Sequence, residues 1–217
     1  MTDFALHRKM MVDTQVRPSD VTKYPIIDAM LTVPREVFVP DELVGAAYVG
    51  DCLDLGGGRV VLDPRALAKM LDALEIGRDD LVLDIGAGTG YSSALLARMA
   101  QTVVALEEDE GLATEAEAAL AKVGAETVVV HKAPLSAGAT EFAPFDVMLT
   151  QGGVEQFPQA LVDQLAEGGR AVCIFMEGAL GVVRLGVKRD GQLAWRDIFN
   201  AAAPVLPGFR KDLEFTL

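Results

Sequence analysis

One stretch, residues 81–91, constrains the fold of this chain more than any other part of it. It reads Leu-Val-Leu-Asp-Ile-Gly-Ala-Gly-Thr-Gly-Tyr, so an apolar strand that carries Asp84 runs into glycines at positions 86, 88 and 90. Apolar residues at helical spacing follow from about residue 92. Glycine adopts backbone angles that a Cβ forbids, and it lets a ligand approach bare main chain. Strand, glycine turn and helix in this order are typical of nucleoside binding in an open parallel sheet.

A second acid supports that interpretation. The strand predicted at 102–106 ends at Glu107, which follows Asp84 by 23 residues. An acid at this point in such a sheet accepts hydrogen bonds from ribose hydroxyls. A dinucleotide fingerprint requires a third glycine where this chain has Tyr91, which argues against NAD. The alternative is a glycine-rich turn in another kind of α/β protein, and the presence of Glu107 argues against it.

Alternating strand and helix patterns continue beyond this unit. The further strands are predicted at 127–131, 143–150 and 170–176. The helices between them are predicted at about 109–123 and 158–166. We therefore predict an α/β fold with a doubly wound, mostly parallel, Rossmann-like sheet. Antiparallel strands are predicted at 181–188, 193–199 and 212–216, so the sheet should end in a C-terminal antiparallel hairpin.

The N-terminal part of the chain is predicted to be a helical extension of that sheet. Residues 3–16 show a helical pattern, and Ser19 or Asp20 is expected to cap a second helix. Residues 33–40 begin and end close to prolines, which predicts an extended segment. A further helix should begin at Pro64, because proline suits the first turn of a helix.

Length and charge bound the organisation of the chain and its partners. The 217 residues suit one structural unit, with residues 1–78 as an N-terminal helical and extended cap and residues 79–217 as the ligand-binding α/β core. With 19 Lys+Arg against 32 Asp+Glu, the net charge of −13 argues against a nucleic-acid partner. No apolar run has the length of a membrane span, and the N-terminus does not resemble a signal peptide. We therefore expect a cytoplasmic protein without a membrane partner.

Metal-binding and thiol chemistry are not indicated. The two cysteines, Cys52 and Cys173, are far apart in the sequence, and the two histidines, His7 and His131, are isolated. We predict no metal site and no disulfide, and we expect both thiols to be chemically inert.

Several segments together resemble the protein-L-isoaspartate O-methyltransferases, a family of class I S-adenosylmethionine-dependent enzymes. Besides the Asp84 motif, the segments that carry the resemblance are Gln15-Val-Arg17, Val33–Pro40, Ala47-Tyr48, the glycine turn that ends at Pro64, Ala143–Asp146 and Gln164–Gly169. The resemblance covers about residues 8–176, and the order and spacing of its parts are more specific than any single motif.

This resemblance implies transfer of a methyl group from S-adenosyl-L-methionine to a carboxylate of L-isoaspartyl or D-aspartyl residues, a repair step for damaged proteins. The implied partner is a protein or peptide that contains such residues, and the sequence does not indicate an oligomeric state. The backbone of the glycines at positions 86, 88 and 90 would approach the cofactor. Glu107 would bind its ribose, and Asp84 would orient the turn that these glycines form. The expected cofactor-binding residues are Asp84, Gly86, Ala87, Gly88, Thr89, Gly90, Tyr91 and Glu107.

The chain departs from the family at the acceptor site. The family has a serine there, followed by glutamine, where this chain has Leu62 and Asp63. Leu62 offers no hydroxyl to an incoming carboxylate, and Asp63 would repel it unless Arg59 or Arg65 screens the charge. We therefore expect isoaspartyl methylation to be slow, and no catalytic residue is assigned.

Two further departures lie beyond the motif. Where the family has an acid that approaches the adenine amine, this chain has Pro134-Leu135. Thr150 matches the family and is, with Leu62 and Asp63, a candidate acceptor-site residue, but Gln151 and Gly152 replace small alanines.

These departures leave two alternatives open beside the leading hypothesis. One is a methyltransferase that acts on a different acceptor. The other is a non-catalytic module that binds the cofactor or a protein partner, since a fold does not fix a function.

Overall fold

The apolar runs of the sequence form one central sheet, flanked by helices. The structure, a computed structural model, describes residues 3–211. The strands are β1 Leu53–Gly56, β2 Arg59–Val61, β3 Leu81–Ile85, β4 Thr102–Glu107, β5 Val128–Lys132, β6 Phe145–Val154, β7 Leu165–Glu177, β8 Leu180–Arg189 and β9 Gln192–Asn200. The helices are α1 Phe4–Met11, α2 Tyr24–Thr32, α3 Pro64–Leu74, α4 Tyr91–Leu96, α5 Glu110–Lys122 and α6 Gln159–Gln164.

Seven of the strands form the central sheet in the order β5-β4-β3-β6-β7-β8-β9. The strands from β5 to β7 are parallel, and β8 and β9 pair antiparallel at one edge. This confirms the predicted α/β fold with a C-terminal antiparallel hairpin. The third predicted strand of that region, at 212–216, lies outside the described residues. The strand order reverses at β3, since β4 and β6 lie on its two sides, and ligands bind beyond the carboxyl ends of strands at such a point.

Both faces of the sheet are covered, which explains the continuous apolar character of its central strands. Val82 of β3 belongs to a buried cluster with Met11, Ile27 and Leu67 of the N-terminal segment. Leu83, the next residue, points to the opposite face and belongs to a second cluster that includes Leu161 and Leu206. Side chains of the N-terminal segment therefore pack directly on the sheet. The division of the chain at residue 78 stays a prediction.

Two predictions for the N-terminal segment were wrong. The second helix begins at Tyr24 with Lys23 at its N-cap, while Asp20 adopts a left-handed conformation with φ 67° that ends the preceding turn. Residues 35–38 form a 3-10 turn instead of an extended segment. Prolines restrict only themselves and the preceding residue, so this turn is decided by the burial of side chains within it.

Arg35 is the side chain that this turn buries. It is fully buried, and its Nε and Nη2 donate to the carbonyl oxygens of Ala47 and Leu62 at 2.7 and 2.9 Å. Its guanidinium also lies 4.8 Å from the centroid of the Tyr91 ring. Burial lowers the pKa of Arg35, because the charged form loses its hydration. One side chain thus links the 35–38 turn, the end of β2 and the start of α4.

Residues 3–211 contain neither a membrane-spanning helix nor a metal-binding cluster. No helix in this range combines the length and the apolar composition needed to cross a bilayer. The same residues contain no group of three or more His, Cys, Asp or Glu side chains arranged to hold a metal ion.

We expect Arg35→Met to lower the free energy of unfolding by about 2–4 kcal/mol, because two buried carbonyl groups lose their donors. Urea denaturation followed by circular dichroism measures the change. The matched control is Arg65→Met, since Arg65 is exposed and should contribute less than about 0.5 kcal/mol. Equal losses in the two variants would contradict a linking role for Arg35.

Candidate functional site

The glycine turn, residues 86–90, lies at the carboxyl ends of β3 and β4. Gly86, Gly88 and Gly90 have φ values of 74°, 56° and 93°, a region that side chains with a Cβ rarely adopt. The N–H groups of Gly86 and Ala87 donate to the carbonyl oxygen of Leu106 at 2.9 and 3.1 Å, which fixes the turn to the end of β4.

The three glycines are needed for different contacts. A Cβ on Gly90 would lie 3.2 Å from Leu120, so this glycine lets α5 pack against the start of α4. A Cβ on Gly88 would lie 2.8 Å from Leu55, and one on Gly86 would lie 3.1 Å from Leu206. Leu55 belongs to β1 and Leu206 to the segment after β9. The first two glycines therefore face groups that approach from outside the motif.

The carboxylate of Asp84 is bound by three polar side chains of the protein. It is fully buried and accepts hydrogen bonds from the Oγ atoms of Ser92 and Ser93, both at 2.6 Å, and from Nε2 of Gln151 at 2.9 Å. Burial raises the pKa of Asp84, and the three hydrogen bonds oppose that rise. The carboxylate joins β3, the first turn of α4 and β6. Sequence reasoning missed this role of Gln151 and the two serines, although a Ser-Ser pair in the first helical turn was a readable signal.

Glu107 is the other buried acid of the site. Its Oε1 accepts from the backbone N–H groups of Glu108 and Asp109 at 2.9 and 3.0 Å, and its Oε2 accepts from Gly88 N–H at 3.0 Å. The predicted ribose-binding acid therefore does lie beside the glycine turn.

Arg59 also binds Glu107, which the sequence did not predict. Its Nη2 lies 3.1 Å from Oε1 of Glu107, and its Nε lies 3.2 Å from both carboxylate oxygens. Sequence reasoning had considered Arg59 only as a cation near Asp63.

The remaining predicted cofactor residues face the N-terminal segment. The hydroxyl of Thr89 donates to the carbonyl oxygen of Phe38 at 2.5 Å, and the ring of Tyr91 lies under Arg35 and beside Phe38. The structure thus brings Gly86, Ala87, Gly88 and Glu107 together, and it uses Thr89 and Tyr91 to attach the cap.

Comparison with known proteins identifies the family. The family model described as Protein-L-isoaspartate(D-aspartate) O-methyltransferase matches residues 7–200. The chain belongs to this family. The resemblance read from the sequence is thereby confirmed, over a longer range than the segments that suggested it.

Individual relatives agree with the family match. The chain is 40% identical over 193 residues to the protein-L-isoaspartate O-methyltransferase of Koribacter versatilis, covering 89% of this chain and 87% of that protein. It is 41% identical over 170 residues to that of Methylorubrum extorquens, covering 78% and 74%.

Two solved structures share the fold of this chain. A structure named protein-L-isoaspartate O-methyltransferase superposes with a TM-score of 0.83 at 24% identity, covering 93% of this chain and 66% of that one. A Plasmodium falciparum structure determined in complex with S-adenosyl-L-homocysteine superposes with a TM-score of 0.80 at 19% identity, covering 92% and 97%.

The three candidate acceptor-site residues, Leu62, Asp63 and Thr150, are engaged in local structure. The side chain of Leu62 is buried, and its carbonyl oxygen accepts from Arg35. Asp63 is the N-cap of α3, where its Oδ1 accepts from Ala66 N–H at 2.8 Å. Thr150 is fully buried, and its hydroxyl donates to the carbonyl oxygen of Gly152 at 3.2 Å.

The loop at Pro134-Leu135, where the resemblance predicts the adenine end, contacts a carboxylate of the protein. Pro134 is exposed, so the proline that replaces the family acid points no polar group into the site. The next residue, Leu135, is buried, and its N–H donates to Oε2 of Glu108 at 3.1 Å. Glu108 therefore places a carboxylate beside the loop from which the family acid is missing.

We expect Asp63→Ala to lower the free energy of unfolding by about 1 kcal/mol, because α3 loses its N-cap. Asp63→Asn should leave stability within a few tenths of a kcal/mol, since asparagine caps a helix as well as aspartate does. Thermal unfolding of the two variants measures the difference. If both lost the same stability, the charge of Asp63 and not its capping hydrogen bond would be what matters.

Proposed function

We propose that this protein transfers the methyl group of S-adenosyl-L-methionine to the carboxylate of L-isoaspartyl or D-aspartyl residues in damaged proteins. The observation that carries the proposal is the buried Glu107 beside the glycine turn, in a chain that the family model matches over residues 7–200. The names of the relatives support the acceptor class. The partner is then a damaged protein or peptide, and a cytoplasmic location stays a prediction.

The residues present fit the cofactor. The positions where a Cβ on Gly86 or Gly88 would lie are in close contact with Leu206 and Leu55, so the turn accepts groups that approach its bare backbone. Glu107 offers acceptor oxygens suited to ribose hydroxyls. We assign Glu107 to the ribose, the backbone of Gly86 and Gly88 to the methionine part, and the apolar Leu135 to the adenine end. Asp84 holds the turn in place without contacting the ligand.

Methyl transfer requires the protein to align the acceptor oxygen with the methyl group and to exclude water. The bound cofactor supplies an electrophilic methyl group on a positively charged sulfur. An acceptor carboxylate is already ionised near neutral pH, so the protein need not move a proton. The acceptor oxygen bonds to the methyl carbon as the carbon–sulfur bond breaks, and the electron pair stays on sulfur. One positive and one negative charge disappear, so enclosure by apolar side chains such as Leu206 favours the reaction.

A transfer assay with methyl-labelled cofactor tests this proposal. We expect an isoaspartyl peptide to become labelled and the same peptide with a normal aspartyl residue to stay unlabelled. Glu107→Gln should lower kcat/KM by roughly 10–100-fold, because ribose loses a charged acceptor. The matched control is Glu126→Gln, an exposed acid outside the site that should leave kcat/KM unchanged.

Other outcomes of the same assay favour the alternatives. Cofactor binding without transfer to any carboxylate would indicate a non-catalytic module. Label on a different nucleophile would indicate a methyltransferase with another acceptor.

Substitutions at Leu62 and Asp63, the candidate acceptor-site residues, give a second test. If a missing hydroxyl slows isoaspartyl methylation, Leu62→Ser should raise kcat/KM about tenfold or more. Leu62→Ala is the matched control, since it opens a similar space without a hydroxyl. Combining Leu62→Ser with Asp63→Asn removes the repelling charge and keeps the cap of α3, which Asp63→Gln would not do. Equal rates for the serine and alanine variants would place the acceptor site on other residues.

A further inference from the structure

The ion pair between Arg59 and Glu107 occupies the atoms that the ribose needs. Glu107 is fully buried, and the Arg59 side chain is 4% exposed. A carboxylate offers about four acceptor positions. Backbone N–H groups of Gly88, Glu108 and Asp109 take three of them, and these donors are part of the turn and the start of α5. Arg59 is therefore the one donor that ribose hydroxyls can displace.

The carboxylate of Glu108 can pair with the guanidinium of Arg59 when Arg59 leaves Glu107. Nη2 of Arg59 lies 3.4 Å from Oε1 of Glu108, whose side chain is 30% exposed. Glu108, Asp109 and Glu115 line a cleft of about 420 Å³ between the start of α5 and the tip of the β1–β2 hairpin. Arg59 can leave Glu107 for this acidic cleft without becoming an unpaired charge. Its Nη1 is buried and has no hydrogen-bond partner among the described residues, so the present pairing is incomplete.

The tip of the hairpin that carries Arg59 has open space around it, although Val60 and Val61 of β2 are buried in the core. Strands β1 and β2 pair only with each other, within the described part of the chain. The tip, Gly56–Gly58, is exposed, and a Cβ at any of its three positions would meet nothing within 4 Å. Leu55, at the base of the same tip, covers Gly88. Movement of the Leu55 and Arg59 side chains at this tip would therefore open Gly88 and Glu107 together, without moving the buried part of β2.

We propose that Arg59 is an intramolecular competitor of the cofactor ribose. In the free protein it holds both Glu107 and Glu108, and on cofactor binding it gives up Glu107 and keeps Glu108. Residue 59 then sets the affinity for the cofactor. This inference rests on the proposed function only in taking the nucleoside of S-adenosylmethionine as the ligand.

Calorimetric titration of the full chain with S-adenosylhomocysteine tests the exchange. Arg59→Gln should tighten Kd about tenfold or more, because the ribose no longer displaces a charged donor. Arg59→Lys keeps the charge but lacks the fork that binds both oxygens, so its Kd should fall between the two. Glu108→Gln should weaken binding several-fold, since the displaced guanidinium loses its remaining carboxylate partner. Glu126→Gln is the control with an unchanged Kd.

Thermal unfolding of the free proteins provides an independent readout. Arg59→Gln should lower the Tm of the free protein and show a larger rise in Tm on adding S-adenosylhomocysteine than the wild type does. If the wild type binds and Arg59→Gln binds equally or more weakly, the exchange is overturned and Arg59 is a binding group or a purely structural one. If neither binds at all, the exchange and the cofactor assignment are both overturned. Tighter binding by Arg59→Gln without methyl transfer by the wild type supports the exchange and contradicts the proposed function alone.

Discussion

The carboxylate of Glu107, fixed by three backbone N–H groups, is the charge on which the site depends. A buried carboxylate is costly unless donors surround it, and here those donors come from the glycine turn and from the start of α5. The hydrogen bonds that stabilise the buried charge also set the distance between the glycine turn at residues 86–90 and the end of β4. The position of this carboxylate and the tolerance of its charge therefore have a single cause.

A second buried charge attaches the cap to this site. Arg35 donates to carbonyl oxygens on either side of the β1–β2 hairpin and lies over the ring of Tyr91, at the end of the glycine turn. Thr89 is bound to the backbone of Phe38 in the same region. The cap and the turn are thus connected by polar contacts between buried groups, in addition to the apolar core that they share. Loss of these contacts would change the site as well as the stability of the protein.

Local signals were sufficient for much of this structure. The strand at 81–85, the glycine turn and the acid that ends β4 were readable because glycine spacing and apolar runs act over a few residues. The helix from Pro64 was predictable for the same reason. The structure gives it Asp63 as its N-cap, and the family resemblance makes the same residue a candidate for the acceptor site.

Contacts between distant residues were not readable from the sequence. Arg59 and Glu107 are 48 residues apart, and Gln151 and Asp84 are 67 apart. No pattern in one sequence pairs a given arginine with a given acid. The 3-10 turn at 35–38 belongs to the same class, because the burial of Arg35 against partners elsewhere in the chain overrides the extended conformation that the flanking prolines suggest.

The position of Leu206 has a consequence for how the site is made during synthesis. The segment after β9 returns to the middle of the sheet, where Val205 bridges to Gly153 and Leu206 packs on Gly86. Leu55, from β1, packs on Gly88. The glycine turn is therefore enclosed by residues separated by about 150 positions, and Leu206 is synthesised after every other residue of the site. A growing chain can form the strand and the turn early, but it cannot enclose a ligand until the segment after β9 has been made and has packed on Gly86.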